Sequence, residues 1–336
     1  MAFIQKLQGP VTNVTPATGP GLQGGGDASL RKLQFTAFGT QCELQYVCMD
    51  ATAAAAFEQD ALNWACGFQA KYSRFVPESI ISQINAAAGK DWVAIDADTE
   101  SLFQLCDSLH FLTKGMLDPT TLPITRLWDV KSTNPRIPTE SEVKSTLRLV
   151  GWPKVKRAKG RIFLPETGMA LDLGGFGKEY AVDAVAEIAK HHGLTNVLVD
   201  FGHDLRCFGR PPHGNFWHVG LEDPNQPGSA WAGVAISNCG MASSGNYVRC
   251  FIRDGKRYGH IVDPRTGYPV NNDTLATYVI GGSCLEAGIL STSCYILGAV
   301  EGIALINATY GVEGCIFTQR ERLYSQQFYK YLVKSA

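Results

Sequence analysis

The sequence has no excess of charge of one sign and no apolar run long enough to cross a membrane as a helix. Its 30 basic and 31 acidic residues give a formal net charge of −1, without a basic stripe or an acidic tail. Binding to nucleic acid or to anionic lipid is therefore not indicated, and a small molecule or a protein is the expected partner. A chain of 336 residues, 45% of them hydrophobic, can bury a full core.

The ten cysteines include no Cys-x-x-Cys pair and no cysteine-histidine cluster at the spacing of a zinc site. Most lie inside apolar runs, as Cys294 does. Free, mostly buried thiols in a reducing compartment are therefore expected in preference to a disulfide framework. Residues 1–8 lack the charged start and long apolar core of a signal peptide. A cytoplasmic location is expected, or a periplasmic one if a signal was removed from the native chain.

The N-terminal part of the chain differs in composition from the rest. Residues 9–29 contain almost no large apolar side chain and many glycines and prolines, so residues 1–32 are expected to be a disordered lead-in. Residues 33–336 are expected to form a single domain. A stretch rich in proline and lysine at 135–161 is the expected boundary between two lobes of that domain.

The hydrophobic pattern predicts both helices and strands. Helices are predicted at 51–72, 80–87, 99–114, 180–192 and 285–298, with Asp50 and Thr99 as the caps of the first and third. Strands are predicted at 33–47, 162–164, 170–173, 197–199, 217–221, 233–236, 247–252, 258–262, 277–280, 314–319 and 323–332.

Residues 260–269 carry an imidazole, a carboxylate, a guanidinium and a hydroxyl, contributed by His260, Asp263, Arg265 and Thr266. Asp-Pro and Thr-Gly are turn dipeptides, so the strand at 258–262 is predicted to end in a tight turn that exposes polar groups. Turn chemistry explains the proline and the glycine but not the preceding histidine. A ligand-binding tip is the favoured interpretation, and a plain strand and turn is the alternative.

The segment Gly-Gly-Phe-Gly-Lys at 174–178 lies where a predicted strand leads into a helix, so backbone N–H groups would face whatever occupies the loop. Its spacing fits neither a Walker loop nor a dinucleotide fingerprint, and both an anion site and a plain turn remain open. Asp172, just before the loop, is either a buried polar anchor or a ligand contact.

A second hydroxyl-rich segment, Met-Ala-Ser-Ser-Gly-Asn-Tyr at 241–247, is predicted to be a glycine turn. Ser243 and Ser244 could bind phosphate oxygens there, although a plain turn between strands explains the segment equally well. No Gly-x-Ser-x-Gly elbow makes either serine a convincing nucleophile. Together, segments 118–123, 174–178, 241–247 and 260–267 suit a phosphorylated ligand better than a catalytic triad, a metalloprotease or a carboxylate-pair glycosidase.

These segments, in this order, resemble the flavin transferases of the ApbE type, which take FAD, cleave its pyrophosphate and attach FMN to a threonine or serine of a target protein. The resemblance extends from about 38 to 332. Its pieces are Phe-Gly-Thr at 38–40, the loop 73–79 with Ile-Asn at 84–85, Asp-Pro-Thr at 118–120 with Leu-Trp at 127–128, the segment 172–183, Phe-Gly-His-Asp at 201–204, Met-Ala-Ser-Ser-Gly at 241–245, and 260–267.

The resemblance implies an α+β fold similar to the T-fold, with FAD between two lobes, Mg²⁺ on its pyrophosphate and a flavoprotein as the acceptor. It implies phosphoryl transfer, in which the target hydroxyl attacks the FMN phosphorus and AMP leaves, and His260 would be the base for that hydroxyl. The implied metal ligands are the backbone carbonyl of Gly177 and the side chain of Thr292. The implied nucleotide-binding residues are Asp118, Thr120, Asp172, Gly174, Gly175, Lys178, Ser243, Ser244, Gly245, His260, Asp263, Arg265 and Thr266.

Two positions depart from the family pattern. Gly288 stands where members usually have a metal-binding aspartate, and Glu179 stands where they generally have a glycine. Because Mg²⁺ prefers anionic oxygen, weaker metal binding is expected unless phosphates or Glu286 compensate, and Glu286 is two residues away on a different helix face. Two functions therefore remain open. One is FMN transfer from FAD to a protein, and the other is FAD binding without transfer, as a flavin carrier, an assembly factor or an enzyme of altered reaction.

Overall fold

The computed structural model describes residues 30–333. Its α-helices are α1 (Ala51–Tyr72), α2 (Ile80–Ala86), α3 (Ala97–Leu112), α4 (Leu122–Trp128), α5 (Glu140–Leu147), α6 (Gly177–His191), α7 (Cys284–Leu297) and α8 (Ala299–Ala308). Its strands are β1 (Leu30–Ala37), β2 (Thr40–Val47), β3 (Val93–Ala94), β4 (Lys156–Ala158), β5 (Arg161–Phe163), β6 (Val197–Phe201), β7 (Asp204–Phe208), β8 (Trp217–Asp223), β9 (Gln226–Ile236), β10 (Cys239–Gly245), β11 (Cys250–Arg253), β12 (Lys256–Gly259), β13 (Val262–Asp263), β14 (Tyr268–Pro269), β15 (Thr274–Gly281), β16 (Glu313–Thr318) and β17 (Arg322–Tyr324).

An eight-stranded sheet organises the fold, with strand order β1-β2-β6-β7-β10-β15-β16-β17. Every neighbouring pair in it is antiparallel. Helices α1, α6, α7 and α8 cover one face, and the β8–β9 hairpin packs on the other. An antiparallel sheet with its helices on one face is an α+β arrangement.

Alternation along β6 shows how the sequence builds both layers. Val197 and Val199 pack with α1 and α6, whereas Leu198, between them, packs with the β8–β9 hairpin. Successive strand residues point to opposite faces of a sheet, so a strand buried on both faces needs a continuous apolar run. The run Val-Leu-Val therefore marks β6 as a central strand.

Two further cores lie beside the sheet. One joins α2, α3 and the three-stranded sheet β3-β5-β4 to the extended segment before α6. Asn85 holds that segment, because its side chain accepts the N–H of Leu171 at 2.6 Å and donates to the carbonyl of the same residue at 3.0 Å. The other core joins α4 and α5 to Val262 and Tyr258.

Several predicted boundaries are wrong. The strand predicted at 33–47 is the hairpin β1–β2, and β1 begins at Leu30, inside the predicted lead-in 1–32. Residues 1–29 of that lead-in lie outside the described range. Helix α3 begins at Ala97 with Asp96 as its cap, which accepts the N–H of Thr99 at 2.9 Å. Thr99 is therefore not the cap.

Further corrections concern the second half of the chain. Residues 170–173 are extended but belong to no strand, and the predicted turn at 241–247 is mostly strand β10. The sequence prediction missed α8, and the strand predicted at 323–332 is β17 followed by a 3-10 turn at Phe328–Lys330.

All ten cysteines lie within the described range and are free thiols, and all but Cys66 and Cys250 are buried. No helix formed by residues 30–333 is both long enough and apolar enough to span a membrane.

Candidate active site

A cavity of about 1020 Å³ opens beside the end of β10 and the start of α6. Small-molecule sites have volumes of roughly 300–1,000 Å³, so this cavity can hold a ligand the size of a dinucleotide. All four motif segments reach it, although they are far apart in the sequence. The predicted site residues that line it are Asp118, Asp172, Gly174, Gly175, Lys178, Ser243, Ser244, Gly245, His260 and Thr292.

Three polar residues of the 260–269 turn, Asp263, Arg265 and Thr266, do not line this cavity, although Ile261, Val262 and Pro264 do. Asp263 and Thr266 line a separate cavity of about 220 Å³. Arg265 donates to the Asp263 carboxylate from Nε at 2.9 Å and from Nη2 at 2.8 Å, so both charges are satisfied within the turn. Trp128 Nε1 donates to the carbonyl of Gly267 at 2.8 Å and fixes the turn against α4. The structure therefore does not bring Asp263, Arg265 and Thr266, three predicted nucleotide contacts, to the large cavity.

Asp118 and Thr120 hold a loop together. The Asp118 carboxylate accepts the N–H groups of Thr120 at 2.7 Å and Trp152 at 2.8 Å. The Thr120 hydroxyl accepts the N–H of Gly151 at 2.7 Å and is fully buried. Thr120 therefore reaches no ligand, and Asp118 forms part of the cavity wall with its acceptor atoms already engaged.

Asp172 connects the glycine loop 174–178 to the guanidinium of Arg74, which was not among the predicted site residues. Its carboxylate accepts Nε of Arg74 at 2.7 Å and the N–H of Gly174 at 2.9 Å. Arg74 lines the cavity and also stacks on Phe75, 3.9 Å from the ring centroid. The resemblance of loop 73–79 to the family was the signal that could have indicated this residue.

Lys178 is held by groups from β6 and β7. Its ammonium pairs with the Asp204 carboxylate and donates to the carbonyl of Phe201 at 3.1 Å. Burial lowers the pKa of Lys178, but Asp204 and then Glu179 raise that pKa by more, so the group stays protonated. Asp204, also missed as a site residue, accepts the N–H of Ser243 at 3.1 Å and so ties the lysine to β10.

Gly288 and Glu179, the two positions expected to depart from the family pattern, lie next to each other. A Cβ atom on Gly288 would lie only 2.6 Å from Cγ of Glu179. The Glu179 side chain is 13% exposed, and its Oε2 atom is buried without a hydrogen-bond partner. Burial raises the pKa of Glu179 to about 8, with Lys178 opposing the shift and Asp204 adding to it.

Hydroxyl groups from β10 and α7 meet at the cavity wall. Ser244 Oγ lies 2.9 Å from Ser291 Oγ and 3.0 Å from Thr292 Oγ1. Glu286 takes no part in this cluster, because its carboxylate accepts the N–H of Gly282 at 2.6 Å and does not line the cavity. The hydroxyls are neutral oxygen donors of the kind that Mg²⁺ accepts.

His260 presents one ring nitrogen to the cavity as an acceptor. Its Nδ1 lies 3.3 Å from the carbonyl oxygen of Arg249, which also accepts the His260 N–H at 3.0 Å. A carbonyl oxygen only accepts, so Nδ1 carries the proton and Nε2 keeps a lone pair. Burial, together with the charges of Arg249 and Lys131, lowers the pKa of His260 to about 4. The imidazole is therefore neutral at pH 7.

Within residues 30–333, no three histidine, cysteine, aspartate or glutamate side chains come together as metal ligands. A metal ion at this cavity would therefore rely on hydroxyl, carbonyl and ligand phosphate oxygens together with few carboxylates. Mg²⁺ in nucleotide sites is commonly held in this way, by one or two carboxylates and the phosphates.

Residues 38–316 match the model of the ApbE family. The chain belongs to this family. Two ApbE relatives, both named FAD:protein FMN transferase, come from Treponema pallidum (strain Nichols) and Klebsiella pneumoniae (strain 342). The first is 29% identical over 266 residues, covering 73% of this chain and 72% of the relative. The second is 27% identical over 245 residues, covering 72% and 76%.

Solved ApbE structures share the fold. The ApbE protein of Thermotoga maritima superposes with a TM-score of 0.79 at 27% identity, over 91% of this chain and all of the other. The Pseudomonas stutzeri flavinyl transferase ApbE in its apo form gives 0.81 at 23% identity, over 92% and 99%. Both the predicted family and the predicted α+β fold are confirmed.

Proposed function

We propose that this protein is an FAD:protein FMN transferase, which binds FAD in the large cavity and joins FMN to a threonine or serine hydroxyl of a target protein, releasing AMP. The observation that carries the proposal is the state of His260. It is a neutral imidazole with its Nδ1 proton engaged by a carbonyl, in the same cavity as a glycine loop and Lys178. The names of the curated relatives support the same reaction.

The pyrophosphate of FAD suits the wall formed by the glycine loop and the start of α6. Backbone N–H groups at a helix N-terminus favour an anion, and Gly175 leaves open space for a close approach. Arg74 and Lys178 line the same cavity and add positive charge. The adenosine and flavin parts would extend along the remaining walls, which reach as far as Tyr247 and Trp128.

The transfer step needs a deprotonated acceptor oxygen in line with the leaving group. Nε2 of His260 would accept the proton of the incoming threonine or serine hydroxyl. The hydroxyl oxygen then forms a bond to the FMN phosphorus, while the bond from that phosphorus to the bridging oxygen breaks. AMP leaves with the bridging oxygen, so one P–O bond replaces another and no oxidant is required.

A divalent cation such as Mg²⁺ would neutralise charge on the pyrophosphate during this step. Thr292 offers a hydroxyl at the cavity wall. Gly177, the first residue of α6, is buried and does not line the cavity, and its carbonyl is a candidate ligand only through the family resemblance. The unpartnered Oε2 atom of Glu179 belongs to a carboxyl group, which would supply an anionic oxygen of the kind Mg²⁺ prefers once its proton is lost. The residues present therefore fit such an ion.

FAD binding without transfer is the second candidate, and the absence of a carboxylate at Gly288 favours it. Incubation of the purified protein with FAD, Mg²⁺ and a flavin-free acceptor flavoprotein separates the two. Transferase activity gives an FMN mass adduct on the acceptor together with an equal amount of AMP. FAD binding with neither product would reject the transferase, and no FAD binding would reject both candidates.

A further inference from the structure

The side chain of Glu179 leaves room only for a glycine at position 288. A Cβ at 288 would lie 2.6 Å from Cγ of Glu179, 3.2 Å from its Cδ and 3.4 Å from its Cβ. Carbon atoms in contact prefer separations of about 3.5–4.0 Å, so residue 288 cannot carry a side chain while Glu179 keeps this position. The space beside Gly288 on α7 is therefore filled by the side chain of Glu179 from α6.

The pairing of the two helices fixes this contact. The Asp183 carboxylate of α6 accepts the N–H groups of Cys284 and Leu285 at the start of α7, both at 2.9 Å. Thr292 follows Gly288 by four residues and lies on the same face of α7. Glu179 and Thr292 both line the large cavity, so a carboxylate and a hydroxyl face the same space.

The protein leaves one oxygen of Glu179 without a partner. Oε2 is buried and has no hydrogen-bond partner. The nearest cation is Lys178, whose ammonium lies 4.0 Å from Oε1 and is already paired with Asp204. A buried polar oxygen without a partner is costly, and a bound cation would remove that cost.

We propose that Glu179 supplies, from α6, the carboxylate ligand of a divalent cation, in the space that Gly288 leaves open on α7. Thr292 and the Gly177 carbonyl would complete the protein ligands. The inference rests on the proposed function, since the FAD pyrophosphate would provide the remaining oxygens. It assigns a ligand that the family pattern places on another helix, and it explains why Glu286 is not needed.

The test is a titration of the full-length protein with Mn²⁺ in the presence of FAD, followed by the electron paramagnetic resonance signal of free Mn²⁺. Glu179→Gln keeps the shape but cannot become a carboxylate, so Mn²⁺ affinity is expected to fall by about tenfold or more. Glu286→Gln is the matched control, because its oxygen can still accept from Gly282, and it should bind Mn²⁺ within about threefold of the wild type. Equal Mn²⁺ affinity in the wild type and Glu179→Gln would overturn the inference.

A second experiment moves the carboxylate from position 179 on α6 to position 288 on α7. Glu179→Gly should weaken Mn²⁺ binding as Glu179→Gln does, and the double variant Glu179→Gly with Gly288→Asp should recover wild-type affinity within about threefold. Gly288→Asp alone should lower the melting temperature, because its Cβ meets Glu179. A double variant that binds no better than Glu179→Gly would also overturn the inference.

FAD binding, measured separately by flavin fluorescence, distinguishes this failure from failure of the proposed function. If the wild type binds FAD and transfers FMN, but Mn²⁺ affinity does not change when residue 179 is replaced, only the ligand assignment is rejected. Absence of FAD binding by the wild type would reject the proposed function itself.

Discussion

Nδ1 of His260 lies 3.3 Å from the carbonyl oxygen of Arg249. This contact sets the tautomer of the imidazole and leaves Nε2 as the acceptor. The same arrangement makes the free imidazole a weak base, since burial and neighbouring cations hold its pKa at about 4. A bound pyrophosphate would raise this pKa, because a nearby anion favours the imidazolium.

FMN transfer should therefore depend on pH in two different ways. With His260 required in its neutral form, kcat/KM should rise through pH 4 and stay level from pH 6 to 8, as the pKa of about 4 applies to the free protein. The midpoint for kcat should lie at higher pH, because it reports the complex with FAD. Steady-state rates between pH 3 and 8 test this, and a kcat midpoint below that of kcat/KM would disagree with it.

The pH dependence of the free energy of unfolding should also report the titration of His260. The folded pKa of His260 is below its ordinary 6.5, so the unfolded chain binds more protons between pH 4 and 6.5. Stability should therefore fall as the pH drops from 6.5 towards 4 and should not change on this account above 6.5. Melting temperatures of the wild type and His260→Gln measure it, with the wild type losing more between pH 7.5 and 5. Equal losses in the two proteins would exclude this linkage.

Removing the Lys178 cation should destabilise the fold as well as weaken FAD binding. Lys178→Met leaves the buried Asp204 carboxylate unpaired, at a cost of about 3 kcal/mol in the free energy of unfolding. Adding Asp204→Asn should recover much of that stability but not the FAD affinity. Urea unfolding and FAD titration of both variants check this, and full FAD affinity in the double variant would show that Lys178 does not contact the ligand.

The two arginines at the site should behave differently. Arg74 lines the large cavity, whereas Arg265 is paired with Asp263 beside the smaller one. Arg74→Ala should raise the Kd for FAD by about tenfold or more, because a charged hydrogen bond is lost. Arg265→Ala should change it by less than about threefold. Isothermal titration with FAD measures both, and the reverse order would place the pyrophosphate near the 263–267 turn.

Asn85 should matter for stability although it contacts no ligand in this arrangement. Its side chain satisfies the N–H and the carbonyl of Leu171, which belong to no strand. Asn85→Ala should lower the free energy of unfolding by about 2 kcal/mol, because it leaves backbone groups without partners. Denaturant unfolding tests this, with Gln83→Ala, on the same helix and more exposed, as the control. Equal effects of the two changes would argue against a fixing role for Asn85.

Sequence reasoning succeeded where local chemistry decides the structure. Helix α1 has the predicted ends, because Asp50 accepts the N–H groups of Thr52 and Ala53. The β1–β2 hairpin was missed because its turn places Phe38 at φ 54°, a left-handed conformation that a phenylalanine does not signal. Helix α8 was missed because it starts directly after Gly298, which looks like the end of a single helix.

The order of the motifs along the chain indicated one ligand site. It did not indicate which residues of each segment face that site. The polar residues after His260 are typical of a binding tip, yet the bond from Trp128 to the Gly267 carbonyl turns them away from the cavity. Likewise, Glu179 and Gly288 were each expected to weaken the site when considered one at a time. Only the packing of α6 on α7 shows that one occupies the space left by the other.

The decisive measurement is the single-turnover rate of FMN transfer to a flavin-free acceptor by the wild type and by His260→Gln, with the Kd for FAD measured in parallel. We expect an FMN adduct and AMP from the wild type. His260→Gln should transfer about 10²- to 10⁴-fold more slowly while its Kd for FAD stays within about threefold. No adduct from the wild type, or an equal rate from His260→Gln, would show that this cavity is not a transferase site with His260 as its base.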